Sequence, residues 1–119
     1  MVKELDISSI KHKIKNKKVC IRIHESDIAK IYAFCDPELL DKTFKSDKLT
    51  FYVNPKFYEG KLISLEEALK ILVYYPNANI VGRLAYYAAQ LNIVDKRTIL
   101  WIHDDKTKIR IPHIMLMKI

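Results

Sequence analysis

The apolar residues of this chain change period twice along its length, and that change constrains the fold more than any other feature. Residues 19–25, VCIRIHE, alternate, with Val19, Ile21 and Ile23 on one face and Cys20, Arg22 and His24 on the other. Period two and β-branching specify a strand. Ser26-Asp27 supplies a turn and IAKIYAFC returns, so residues 19–35 read as a hairpin. With a two-residue loop, Cys20 and Cys35 lie diagonally on one face. From Ser64 the period becomes helical, with Leu65, Ala68, Leu69 and Leu72 on one stripe. Ser64 and Glu67 make a capping box at its start, and Pro76 closes it. A second helix is expected from about Ala78 to Leu91, its stripe formed by Ile80, Leu84, Tyr87, Ala88 and Leu91. Alternation returns in TILWIH and IRIPHIMLM, joined through Asp104-Asp105-Lys106-Thr107. Pro112 cannot donate to a ladder, which marks an edge or a bulge. Strands and helices are segregated, so the expected class is α+β, with two central helices on a mostly antiparallel sheet.

Between these blocks, Asp36-Pro37 stops the second strand. Asp36 can cap a short helix opened by Pro37 within PELLDKTF. LTFYV (49–53) is a strand, and NPKFYEG is a turn-rich connector ending at Gly60.

The 119 residues fit one domain. Their net charge of +7 is uneven. Residues 1–18 carry six lysines against Glu4 and Asp6, a balance of +4; the other 101 residues carry the remaining +3. KHKIKNKK crowds five lysines into eight positions, whose repulsion disfavours compact structure. Residues 1–18 are therefore expected to be a flexible basic arm, and 19–119 the folded domain. Val2, Leu5, Ile7 and Ile10 allow a short helical face or a docked extended segment before the lysines. A basic excess favours polyanions, with a merely solubilising surface as the alternative.

Two glycines, Gly60 and Gly82, cannot build a phosphate-binding glycine loop. The four histidines and two cysteines show no zinc-ligand spacing, so no metal or other cofactor is expected. No apolar run approaches the length of a membrane span, and two cysteines imply no disulfide framework, which favours the cytoplasm. Cys35 reads as a buried strand cysteine or, with a distant histidine, as a nucleophile. His103-Asp104-Asp105 reads as a solvated turn or a cation site. Tyr74-Tyr75 and Tyr86-Tyr87 each place one ring in the core and leave one able to stack on a base. Asn77 or Asn79 can cap the second helix; Gly82 in its first turn signals close approach of backbone or ligand. Arg83 stands beside that anion-friendly helix start.

The blocks CDPELLDKTF (35–44), FYEG (57–60), NANIVG (77–82) and IPHIMLM (111–117) resemble the archaeal family known as domain of unknown function 424. The likeness spans residues 19–119 and excludes the lysine-rich segment. It implies a small cytoplasmic α+β protein and brings no established activity. Cys35, Asp36, Lys42, Phe44, Asn79, Gly82, Pro112 and His113 match its blocks and form the candidate family site. Asp41 stands where the family commonly has glycine, and Ile111 where it often has glycine or a small apolar residue. Both departures count against a close-fitting ligand cradle in those loops.

The leading expectation is an RNA-associated binding protein, a ribosomal component or ribosome-associated factor. Lys11, Lys13, Lys15, Lys17, Lys18 and Arg83 would contact RNA, without sequence specificity. One rival is a small enzyme or ligand-binding domain in which Asp36, Lys42, Asn79 and His113 converge. The other is a protein-interaction module that offers a sheet edge limited by Pro112.

Overall fold

A computed structural model describes residues 5–75 and 77–117. In chain order the elements begin with a single helical turn α1 (Lys11–Ile14) and strands β1 (Lys18–Glu25) and β2 (Lys30–Cys35). A 3-10 turn (Pro37–Leu39) leads to strands β3 (Thr43–Ser46) and β4 (Leu49–Tyr52), then the single turn α2 (Pro55–Tyr58) and strand β5 (Lys61–Ser64). Helix α3 (Leu65–Tyr74), strand β6 (Ala78–Val81) and helix α4 (Arg83–Gln90) follow. A second 3-10 turn (Lys96–Thr98) precedes strands β7 (Leu100–His103) and β8 (Arg110–Leu116). The fold is α+β. Six strands form one sheet in the order β5-β1-β2-β6-β8-β7, and β3 and β4 form a separate hairpin. The β2–β6 pairing is parallel, and every other ladder is antiparallel.

Period two gives the large sheet two apolar faces. Val19, Ile21, Phe34, Ile80 and Ile114 pack under Leu65, Leu69, Leu84 and Ala88 of the helices. Ala33, Cys35, Val81, Ile102 and Ile111 pack under Phe44, Val53 and Tyr58 on the other side. The sheet is thus covered by helices on one face and by the β3–β4 hairpin with α2 on the other.

Local signals are met where tertiary contacts agree with them. Ser64 Oγ accepts from Glu67 N at 3.1 Å and starts α3 as the capping residues require. Pro76, expected to end that helix, lies outside the described residues. Neither tyrosine of the doublet that ends α3 enters the core: Tyr74 and Tyr75 are both exposed, Tyr75 tilting against Tyr32. The first hairpin forms, but its loop has four residues, closed by Ser26 N donating to Ala29 O. Cys20 therefore faces Cys35 directly rather than diagonally, and both are buried free thiols. In α2, Asn54 Oδ1 accepts from Lys56 N, which turns part of the expected connector into helix. Position 60, just before β5, requires glycine because an added Cβ would collide with the Ile21 carbonyl of β1.

Three larger expectations fail. Residues 78–81 are a strand, so the second helix starts at Arg83, with Gly82 as its N-cap rather than in its first turn. Four apolar or amide residues hold too little periodicity to decide, and open ladder positions on β2 and β8 decide for strand. Packing also begins well before residue 19. Ile10 and Ile14 are 3% and 4% exposed within the helical core, and Leu5 and Ile7 pack beside them. Leu65 N donates to Lys17 O, so the lysine-rich segment is sewn onto the body. Finally, Pro112 lies in β8, an interior strand. Its carbonyl accepts from Gly82 N, so its imide nitrogen faces the same side, where β6 has ended. The reciprocal bond to Gly82 O is the one proline forgoes, and that carbonyl accepts from Ala85 N instead. Among the described residues, no helix is long and apolar enough to cross a membrane.

Candidate functional site

The family-like blocks meet at the carboxyl ends of the parallel strands β2 and β6. Asp36 follows β2 and Gly82 follows β6. Asp36 is buried, and its side chain does not cap the 3-10 turn that follows it. It reaches across to α4, where Oδ2 accepts from Arg83 N at 3.0 Å and Oδ1 pairs with Arg83 Nε at 3.1 Å. Burial raises its pKa, an effect opposed by the bonds from Arg83. Arg83 also pairs with Glu38. Gly82 has φ +110°, and a Cβ there would strike the Asp36 carboxylate. The anion site foreseen at the helix start is thus real, but the chain's own carboxylate fills it.

Asn79 and His113 belong to a neighbouring polar cluster on the opposite face from the helices. Asn79 Oδ1 accepts from Tyr58 Oη at 2.7 Å and from His113 Nε2 at 3.1 Å. Asn79 therefore caps nothing. Burial depresses the His113 pKa, which keeps the ring neutral, and Phe51 tilts against it at 5.0 Å. Phe44 is a buried core residue of β3. Lys42 is exposed and makes no side-chain bond to Asp36, Asn79 or His113 among the described residues. The four residues expected to converge on one pocket therefore divide: Asn79 with His113, Asp36 with Gly82 and Pro112, and Lys42 apart.

Cys35 is unsuited to nucleophilic attack. Burial pushes its thiol well up, and Sγ donates to the Asp36 carbonyl. The Asp104 carboxylate is buried rather than solvated. It accepts from Lys45 N, Thr107 N and Thr107 Oγ1, and so ties the β7–β8 turn to β3. Among the described residues no cluster of three or more His, Cys, Asp or Glu is placed to hold a metal ion.

The docked N-terminal segment builds a second site. Lys11, Lys15, Lys17 and Lys18, with His12, Ser8 and Ser64, line an open groove of about 700 Å³; among the described residues Glu66 is the only acid in its lining. That acid is already paired with Lys70 at 3.3 Å. Lys13 is exposed outside the groove lining, and Arg83 lies at the Asp36 junction. Sequence reasoning found these lysines through their density but placed them on a detached arm. It overlooked Trp101 and Arg110, which flank a cleft beside Arg83. Their signal was a lone tryptophan in an alternating strand, which core packing explains equally well.

Comparison with known proteins bears on the body. The sequence profile of a family described as "Protein of unknown function (DUF424)" matches residues 23–111. A crystal structure of an uncharacterized conserved protein from Methanopyrus kandleri is similar in fold, with a TM-score of 0.63 and 22% identity. The alignment covers 86% of this chain and 95% of that one. No curated protein matches.

Proposed function

We propose that this chain, which belongs to the DUF424 family of unknown function, binds RNA or a ribonucleoprotein through its lysine groove. The supporting observation is the convergence of Lys11, Lys15, Lys17 and Lys18 on one concavity where Glu66, the only acid in its lining among the described residues, is already paired. A folded groove holds these charges at fixed spacing, so binding a phosphate backbone orders less chain than a loose arm would. Its contacts are to phosphate, which gives affinity without base readout. A ribosomal component or ribosome-associated factor is the form of this role that the reading favours.

Deleting residues 1–18 would confound the test, because that deletion removes Ile10 and Ile14 from the core. The informative variant is Lys11→Gln/Lys15→Gln/Lys17→Gln, which removes charge and leaves the packing. Binding of a labelled single-stranded RNA is measured across a salt series. Loss of three phosphate contacts reduces the slope of log affinity against log salt by about 2, at about 0.7 per contact. An unchanged affinity and slope would sink the proposal.

A further inference from the structure

On the opposite sheet edge from the lysine groove, β7 and β8 bear a different surface. Trp101 pairs with Pro112, and Arg110 with His103, so these side chains project from one face. Helix α4 covers β6 and β8 on that face. Between α4 and β7 lies an open cleft of about 340 Å³, lined chiefly by Tyr86, Tyr87, Trp101, Arg110 and Pro112, with Asp36 at its floor. That volume lies near the lower end of the roughly 300–1,000 Å³ typical of small-ligand sites. The place is the crevice beyond the carboxyl ends of adjacent parallel strands, where open sheets characteristically hold ligands.

The charges around this cleft dictate what fits and which way round. Arg83 is committed to Asp36 and Glu38, and Asp36 already neutralises the start of α4. An anionic group is therefore repelled from the floor. Arg110 differs: its guanidinium lies 5.0 Å from the Trp101 ring centroid and has no carboxylate partner among the described residues. It offers a cation at the rim. The walls offer rings, with Tyr86 44% and Trp101 36% exposed. The floor adds no free charge, because the Asp36 carboxylate, only 6% exposed, is buried against Arg83.

We propose that this cleft binds a nucleotide, its base stacked on Trp101 and Tyr86 and its phosphate on Arg110. Stacking on exposed aromatic rings tolerates any base, and arginine supplies both charge and a planar face. The nucleotide comes either from solution or from an unpaired position of an RNA strand. The cleft stands independently of the lysine groove, since the two lie at opposite edges of the sheet.

Trp101 is the only tryptophan, so its fluorescence reports on this cleft alone. The full chain is titrated with AMP, UMP, ribose 5-phosphate and a short single-stranded oligonucleotide, with correction for ligand absorbance. The expected result is saturable quenching by base-containing ligands, none by ribose 5-phosphate, and binding at least tenfold weaker in Arg110→Ala. A tenfold preference for AMP or UMP over the oligonucleotide assigns the free nucleotide, and the reverse assigns an RNA base. Tyr86→Ala, at an exposed ring, is a second weakening variant. Quenching is expected to persist in the triple lysine variant, which separates this site from the RNA groove. Absence of quenching by every base-containing ligand overturns the proposal. So does quenching that Arg110→Ala and Tyr86→Ala both leave unchanged.

Discussion

Gly82 carries more of the architecture than its size suggests. Its φ of +110° is open to glycine and strained for other residues, and the Asp36 carboxylate occupies the space of a side chain. The carboxylate can reach Arg83 N only because nothing intervenes. Gly82→Ala should lower unfolding stability by at least about 1–3 kcal/mol, the usual scale of a strained backbone position. Denaturant midpoints would check this, and an unchanged midpoint would refute it. Asp41 shows the same logic in milder form. Its φ is +67°, a conformation that glycine would adopt with less strain. His113 adds a pH dependence. Its folded-state pKa is depressed by burial, so the unfolded chain takes up the proton first as pH falls. The resulting loss of stability begins near the unfolded value of about 6.5 and continues down to the folded one. Asp36 acts in the opposite sense: its folded pKa is raised, so acidification through the window above 3.8 relieves the cost of its buried charge. His113→Gln should therefore flatten the fall of stability as pH drops below about 6.5. A slope as steep as in the parent chain would contradict the assignment.

The N-terminal segment shows how an element can be misread from charge. Lys11, Lys13 and Lys15 are exposed, while Ile14 between them is buried. A single helical turn is enough to point Ile10 and Ile14 at the core and the lysines at water. Counting lysines hides that isoleucine pair, and lysine repulsion is weak once each ammonium faces solvent at physiological salt. Ile14→Ala should cost about 2–5 kcal/mol, as for other buried isoleucines, whereas exposed Lys13→Ala should change stability by less than about 0.5 kcal/mol. Equal small effects in equilibrium unfolding would mean that the segment is not docked. Strand β6 is the other instructive element. Its ANIV carries no period of its own, and it is strand because β2 and β8 flank it. Helix α3, with ten residues and a side-chain cap, has enough local information to be read directly.

At the scale of the molecule, the sheet is held from its centre. Phe34 of β2 and Ile80 of β6 are fully buried, and both strands have neighbours on each side. Strands β5 and β7 are edges, each paired on one side in the large sheet. Amide exchange in the native state should be slowest in β2 and β6 and fastest in β5 and β7. Uniform protection across the sheet would argue against this hierarchy. The two proposed ligand surfaces sit at those two edges, away from the most stable strands.

The chain's residues alone determined the α+β class, the first hairpin, α3 and the paired C-terminal strands. Each rests on periodicity or a cap contained within a few neighbouring positions. Only the tertiary structure decided that 78–81 is strand, that the lysines line a docked groove, and that Asp36 caps a helix 47 positions away. Those outcomes depend on partners remote in sequence. A carboxylate binds whichever free amide the fold brings near it, and a short apolar segment pairs with whichever strand is open.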